Sequence, residues 1–314
     1  MQILLTERCN LRCRHCAVPA EDSPADHEVD IADWLAFVDV LAAGGLRSLV
    51  LSGGEALLRP EAVDVAIRAL ERGVEQTTLV TNGLIFRGAI PAKIADAQRR
   101  FPGFGVHVSL DGCTAATHDW MRGRGTFRRT LRSLDRLREA GGRTTGVHTV
   151  FHRGNVHEFD ECAALAKELG ASSWTVFPIA ALGRATQIQE RRLDEAVWRD
   201  LISRSPGLER RYGLSIGVMG PVLSDEWPET APDLPTPRFP HAQQTCVGPD
   251  GEVFTCPPLR DRPVGTLQDV VDRQDWHTVA ERAGDLLRAE CSGCKLILLC
   301  TGVRLDSAFH VREG

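Results

Sequence analysis

Three cysteines near the amino end, Cys9, Cys13 and Cys16, stand at the spacing C-x3-C-x2-C in the stretch Cys9-Asn10-Leu11-Arg12-Cys13-Arg14-His15-Cys16. Three thiolates on one short loop can wrap a [4Fe–4S] cube while leaving its fourth iron without a protein ligand, and a vacant iron is a place for chemistry. A zinc site wants four ligands, usually from C-x2-C pairs, and His15 is wedged too tightly between Cys13 and Cys16 to complete one. A disulfide framework requires an oxidising compartment, which nothing in the chain suggests. The spacing therefore favours a cluster.

These thiols must be carried by something, and an apolar run, Gln2-Ile3-Leu4-Leu5-Thr6, leads straight into them. Over the first two-thirds of the chain, short β-branched runs alternate with amphipathic stretches, the signature of βα units and a parallel sheet. Strands are expected at 2–6, 47–51, 75–81, 104–109, 146–151 and 174–178, with helices near 31–43, 60–72, 91–100, 126–140 and 155–169. Six such units make an α/β fold, a partial (β/α)6 barrel whose working face lies at the carboxyl ends of the strands. The chain of 314 residues, 43% apolar, suffices for one large core with a small appended module. No stretch approaches a membrane span and no targeting segment is visible, so a cytoplasmic protein with no membrane partner is expected. A net charge of −5 argues against nucleic acid and permits a cationic substrate. Arg122, Arg124, Arg128 and Arg129 cluster, but with Asp119 and Asp135 beside them they read as a solvated helix start plus one functional Arg.

The expected strand ends carry polar motifs. Ser52-Gly53-Gly54-Glu55 follows the second strand; two glycines allow a close backbone approach, and Glu55 supplies an acceptor for an ammonium group. Thr81-Asn82-Gly83 ends the third strand, where a plain βα turn explains Asn82 equally well, and Ser109-Leu110-Asp111-Gly112 ends the fourth. Together with the cysteine loop, this series resembles the radical S-adenosylmethionine (SAM) enzymes, in which the amino and carboxylate groups of SAM occupy the open iron. The resemblance implies that Cys9, Cys13 and Cys16 hold a [4Fe–4S] cluster and that Gly53, Gly54 and Glu55 hold the methionine amino group, although Ala56 stands where that family usually has Pro. It also implies that Ser109 and Asp111 lie by the ribose, that Arg122 pairs with the methionine carboxylate through its fork, and that the turn at Leu182 lies beside the adenine. His118 reads as structural or as a helix cap, and Asn155 resembles a recurrent polar residue of the family. Cys162, among Phe159, Ala163, Leu165 and Ala166, reads as a small buried hydrophobe.

Three regions are expected: a barrel over 1–204, a Pro-rich acidic linker or lid over 205–240, and a tail over 241–314. The tail holds five cysteines, Cys246, Cys256, Cys291, Cys294 and Cys300. The stretch from Cys246 to Cys256 reads as a hairpin turning at Asp250-Gly251 with a thiol at each foot. The pattern resembles a truncated SPASM/twitch-type auxiliary-cluster domain, with Arg304 where a further cysteine is expected. Two auxiliary clusters would need four thiolates each; five are present, so one cluster forms and one thiol is left. Cys256, Cys291, Cys294 and Cys300 are the preferred ligands. Cys246 is then the thiol left over to return a hydrogen atom to a carbon radical; the alternatives that Cys246 ligates and Cys300 is spare, or that all five serve structure, stay open, and Cys113 is a lesser candidate. A barrel beginning at residue 2 leaves no room for a leader-peptide-binding domain. That expectation, with the spare thiol, resembles the aminoglycoside-modifying radical SAM epimerases. The implied substrate is a small cationic sugar, and the implied electron source is an external one-electron reductant of flavodoxin or ferredoxin type. A sugar dehydrogenase, a peptide epimerase and a non-catalytic metal-binding adaptor are the alternatives.

Overall fold

The structure, a computed structural model, describes residues 1–17, 27–180, 182–218, 245–255 and 260–291. Its elements alternate as the sequence suggests: β1 (Gln2–Leu4), α1 (Ile31–Ala43), β2 (Ser48–Ser52), α2 (Ala62–Glu71), β3 (Gln76–Thr81), α3 (Ile90–Arg100) and β4 (Phe104–Ser109). Then follow α4 (Ala115–Arg122), α5 (Thr126–Glu139), β5 (Gly146–Phe151), α6 (Phe159–Glu168), β6 (Ser173–Pro178), α7 (Glu195–Tyr212) and β7 (Ser215–Val218). The tail adds β8 (Cys246–Val247), β9 (Glu252–Phe254), β10 (Gly265–Thr266), α8 (Leu267–Arg273) and α9 (His277–Cys291).

Among the described residues, ten strands form one open sheet in the order β10-β9-β8-β1-β2-β3-β4-β5-β6-β7, parallel from β8 through β7. The register shows which face is which. Ile3 lies beside Leu51, Leu51 beside Leu79, Leu79 beside Val106, Val108 beside Val147 and Val147 beside Trp174. That row packs on Trp34, Phe37, Val63, Ile94, Phe159 and Trp198 from the helices. Alternate side chains point the other way, and the opposite row reads Gln2, Leu4, Val50, Ser52, Thr78, His107, Ser109, His148, Thr175 and Cys246. Helices on one face only make a singly wound sheet, an incomplete barrel with a largely polar inner face. Gly146 is needed on that face: a Cβ there would lie 2.6 Å from the His107 ring and from Ser173 Oγ.

Regular structure continues past residue 204. The helix α7 ends at Tyr212, and β7 pairs with β6 as a seventh strand of the alternating series, so residues 205–218 belong to the sheet and its cover, not to a connector. Pro206 within α7 and the brevity of Ser215–Val218 hide both elements from periodicity. The tail hairpin is also part of the main sheet: β8 adds to β1 with Cys246 opposite Gln2, and across the hairpin Cys246 faces Phe254. Cys256, Cys294, Cys300 and residues 219–240 of the expected linker lie outside the described residues, as does the side chain of Cys291. Among the described residues, no helix is long and apolar enough to cross a membrane.

Candidate active site

The loop from Glu7 to Ala17 leaves the carboxyl end of β1 and is fixed from several sides. Gly54 N–H donates to Thr6 O at 2.7 Å and Glu55 N–H to Arg8 O at 2.8 Å. The two segments lie so close that a Cβ on Gly53 would sit 2.6 Å from Thr6 O, and one on Gly54 would collide with Arg8 O. Here the glycines are a steric requirement. On the far side, Arg184 donates through its backbone N–H to Cys16 O (3.0 Å) and through Nε to Cys13 O (2.9 Å). Arg14 N–H donates to Met121 O at 2.9 Å, and the Arg14 guanidinium lies 4.6 Å from the Trp120 ring centre. The Leu182–Arg184 turn therefore meets the protein's own cysteine loop, a contact that sequence reading did not anticipate.

Cys13 is buried, whereas Cys9 and Cys16 are partly open. Burial pushes the Cys9 thiol up to about 11 and raises Cys13 as well, with Arg122 and Arg184 opposing the latter. Thiolates are therefore favoured only once metal replaces the protons. The donor set and the glycine cradle fit the cluster and a closely held ligand.

Glu55 is 2% exposed. Its Oε1 accepts from Thr81 Oγ1 (2.6 Å) and Leu57 N–H (3.1 Å), and its Oε2 from Asn82 N–H (2.7 Å). A carboxylate oxygen accepts two bonds in comfort, so Oε2 retains capacity for one more donor, such as an ammonium. Burial raises the Glu55 pKa, and the three donors together with Arg122 work against that rise. Asn82 reaches the cysteine loop, donating through Nδ2 to Asn10 Oδ1 at 2.7 Å, while its Oδ1 closes its own turn onto Leu84 N–H at 3.0 Å.

Asp111 is fully buried and its carboxylate meets three groups of the protein. Oδ2 meets Arg122 Nε at 2.5 Å and His15 Nε2 at 2.7 Å, and Oδ1 accepts Val150 N–H at 2.9 Å. Burial alone would lift its pKa, but Arg122 and His15 outweigh it and hold the group well below the usual carboxylate range. Asp111 orients Arg122 and ties down His15 of the cysteine loop through Oδ2, while Oδ1, with one accepted bond, keeps capacity for a further donor. His118, inside α4, accepts Asp111 N–H at 3.2 Å, and Asn155 Nδ2 donates to Asp111 O at 3.1 Å, so both are structural supports. Of the arginine cluster, Arg122 alone is buried; Arg124, Arg128 and Arg129 are exposed. Ser109 ends β4 on the inner face.

Cys246 is 5% exposed and packs with Leu4 and Phe254 on the inner face. Its Sγ lies 3.9 Å from Gln2 Oε1. Being level with Gln2, it sits two residues, about 7 Å, below Leu4 and thus deeper in the barrel than the cysteine loop. Sequence reading missed His107 and His148, whose Nδ1 and Nε2 approach to 3.0 Å on the same face. Burial pushes them down to about 4 and about 3, so the pair is neutral. Strand parity places both inside, a signal the sequence does contain. Cys162 is buried as expected, but it is not a simple hydrophobe, because its thiol meets the Cys113 thiol and the Glu158 carboxylate.

The model of the radical SAM superfamily matches residues 3–166, which covers every element from β1 into α6. Among curated relatives, the AdoMet-dependent heme synthase of Methanosarcina barkeri is 35% identical over 189 residues, 59% of this chain and 52% of that protein. The PqqA peptide cyclase of Ruegeria pomeroyi is 29% identical over 280 residues, 80% of this chain and 73% of that protein. The chain spans about half the length of the heme synthases it matches. In fold, it resembles Streptococcus suis SuiB bound to S-adenosylmethionine, with TM-score 0.74 and 17% identity over 96% of this chain and 72% of that one. It also resembles anSMEcpe with bound AdoMet, at TM-score 0.64 and 15% identity over 98% and 91% of the two chains.

Proposed function

The chain belongs to the radical SAM superfamily, and from that premise we propose that it removes a hydrogen atom from a C–H bond of a peptide substrate and inverts that carbon. The observation that carries the peptide reading is the match to the PqqA peptide cyclase, which runs over 280 residues and so beyond the barrel segment shared with the heme synthases. When bound, the [4Fe–4S] cluster and SAM supply a 5′-deoxyadenosyl radical. In this chain Cys9, Cys13 and Cys16 would hold the cluster, Glu55 would receive the methionine ammonium on Oε2, and Arg122, steered by Asp111, would face the methionine carboxylate. Asn82 keeps the cysteine loop in register with the Glu55 segment.

Cys246 is the proposed hydrogen source. Its S–H bond breaks as the new C–H bond forms on the substrate, leaving a sulfur radical. That radical is restored by one electron from an external flavodoxin- or ferredoxin-type reductant and one proton from solvent. Cys256, Cys291, Cys294 and Cys300 are proposed as the residues that would hold an auxiliary [4Fe–4S] cluster, which when bound would supply a one-electron redox centre. The inner-face position of Cys246 supports the assignment; its depth requires the substrate to reach below the level of Leu4.

A second reading, inversion of a carbon in an aminoglycoside, is favoured by the polar inner face of Gln2, Ser52, Thr78, His107 and His148, which suits a polyhydroxylated cationic sugar. The test is turnover in D2O by anaerobically reconstituted protein with SAM and a reductant, given either peptides encoded beside the gene or a panel of aminoglycosides. The peptide reading expects one inverted residue carrying solvent deuterium. Inversion of a sugar in place of a peptide selects the second reading. An oxidised product without deuterium rejects epimerisation, and Cys246→Ala that still yields inverted product rejects the thiol assignment.

A further inference from the structure

Away from the cysteine loop, the turn after β4 and the start of α6 bring two thiols and a carboxylate together. Cys113, Glu158 and Cys162 place their ligand atoms within 4.8 Å of one another. Glu158 caps α6 and Cys162 lies four residues on, so both sit on one helix face. Glu158 is 7% exposed and Cys162 4%, while Cys113 is half-buried and keeps a side open to solvent.

We propose that these three residues form a zinc site, with water as the fourth ligand on the open side of Cys113. Ligands on one tetrahedral zinc lie about 3.4–3.8 Å apart, given Zn–S and Zn–O bonds near 2.3 and 2.1 Å. Closing from 4.8 Å or less therefore needs shifts of about an ångström, within reach of a turn residue. Two sulfur donors select zinc over magnesium or calcium, which demand oxygen. The surrounding bonds look like those that orient a ligating carboxylate: Glu158 Oε2 accepts from Cys113 N–H (2.9 Å) and Thr117 Oγ1 (2.7 Å), and Oε1 from Thr114 Oγ1 (2.9 Å). The Cys113 thiol is a fourth donor to this carboxylate, and its deprotonation on metal binding releases one lone pair for the ion. On binding, both thiol protons pass to solvent. The ion would pin α6 to the turn that begins at Asp111, and hence to the Arg122 and His15 contacts.

The test uses anaerobically reconstituted full-length protein, with the rate of iodoacetamide alkylation at Cys113 read by peptide mass mapping with and without added zinc. Zinc is expected to slow alkylation of Cys113 at least about tenfold, with protection lost in Cys162→Ser and in Glu158→Gln. Thr117→Val, a milder change that leaves all three ligands, is expected to raise the zinc concentration needed for protection by about tenfold or more. Equal alkylation rates with and without zinc overturn the proposal. So does a Cys113–Cys162 disulfide that persists in the zinc-treated protein, and so does protection that survives Cys162→Ser.

Discussion

Replacing Asp111 by Asn should damage this protein more than its distance from solvent-exposed chemistry suggests, and the structure gives the size. Asp111 is fully buried and Arg122 is 8% exposed, with Nε and Oδ2 at 2.5 Å. The introduced amide could still accept Val150 N–H, but Arg122 would lose its counter-charge in a buried site. Breaking one side of such a pair costs about 3–5 kcal/mol, because the remaining charge is uncompensated. Since the amide keeps part of the hydrogen bonding, about 3 kcal/mol is expected for Asp111→Asn. Removing both charges in Asp111→Asn/Arg122→Met should cost clearly less than the sum of the single changes. Urea unfolding of the metal-free protein, followed by circular dichroism, reads these differences. The effect should also follow pH. The folded Asp111 pKa is depressed, so its stabilisation is complete above the unfolded value of about 4 and is lost as pH falls below that. The gap between wild type and variant should therefore be flat near neutrality and shrink in acid. A cost under about 0.5 kcal/mol, or strictly additive single changes, would refute the buried-pair argument.

Other expectations are as direct. Glu55→Gln removes the charge from a buried acceptor, and a charge-assisted bond is worth about 1.5–3 kcal/mol, so SAM affinity measured by calorimetry should fall about tenfold to a hundredfold; unchanged affinity would remove Glu55 from the site. Gly54→Ala drives a methyl into Arg8 O and should lower the iron retained per chain after desalting, whereas a normal iron content would show that the loop can yield. Burial depresses His107 and His148 from 6.5 to about 4 and about 3. Between those values the unfolded chain binds more protons than the folded one, so stability should fall as pH drops from about 6.5 toward 4. His148→Gln should flatten that slope in urea titrations, and an unaltered slope would place the titration elsewhere.

The six strands that carry the motifs are legible because each is a short β-branched run followed by a helix-period stretch, and the structure keeps their ends within a residue, apart from β1, which stops two residues early at Leu4. Burial on one face imposes that pattern. The helix α7 and strand β7 escaped because Pro206 and Gly207 read as breakers, although Ser205 returns its hydroxyl to Leu201 O at 2.8 Å inside an intact helix. The short α4 was hidden for lack of length, yet its Asp119 caps α5 by accepting Gly125 N–H at 2.6 Å and Phe127 N–H at 2.8 Å. The cysteine loop and the Gly53-Gly54-Glu55 turn were readable as motifs. Long-range partners were not: nothing local pairs Asp111 with His15, seats Arg184 on Cys13, or brings Cys113 to Cys162. Those contacts depend on how the strand ends converge, which no periodicity in the chain encodes.

The central claim is a three-cysteine cube at Cys9, Cys13 and Cys16 whose open iron takes SAM. Electron paramagnetic resonance of the anaerobically reconstituted, reduced protein tests it most directly, with Cys256→Ala, Cys291→Ala and Cys294→Ala introduced together to silence the tail. The account predicts a [4Fe–4S]+ signal that changes when SAM is added and disappears in Cys13→Ala. A signal indifferent to SAM, or one that survives loss of Cys13, would contradict it.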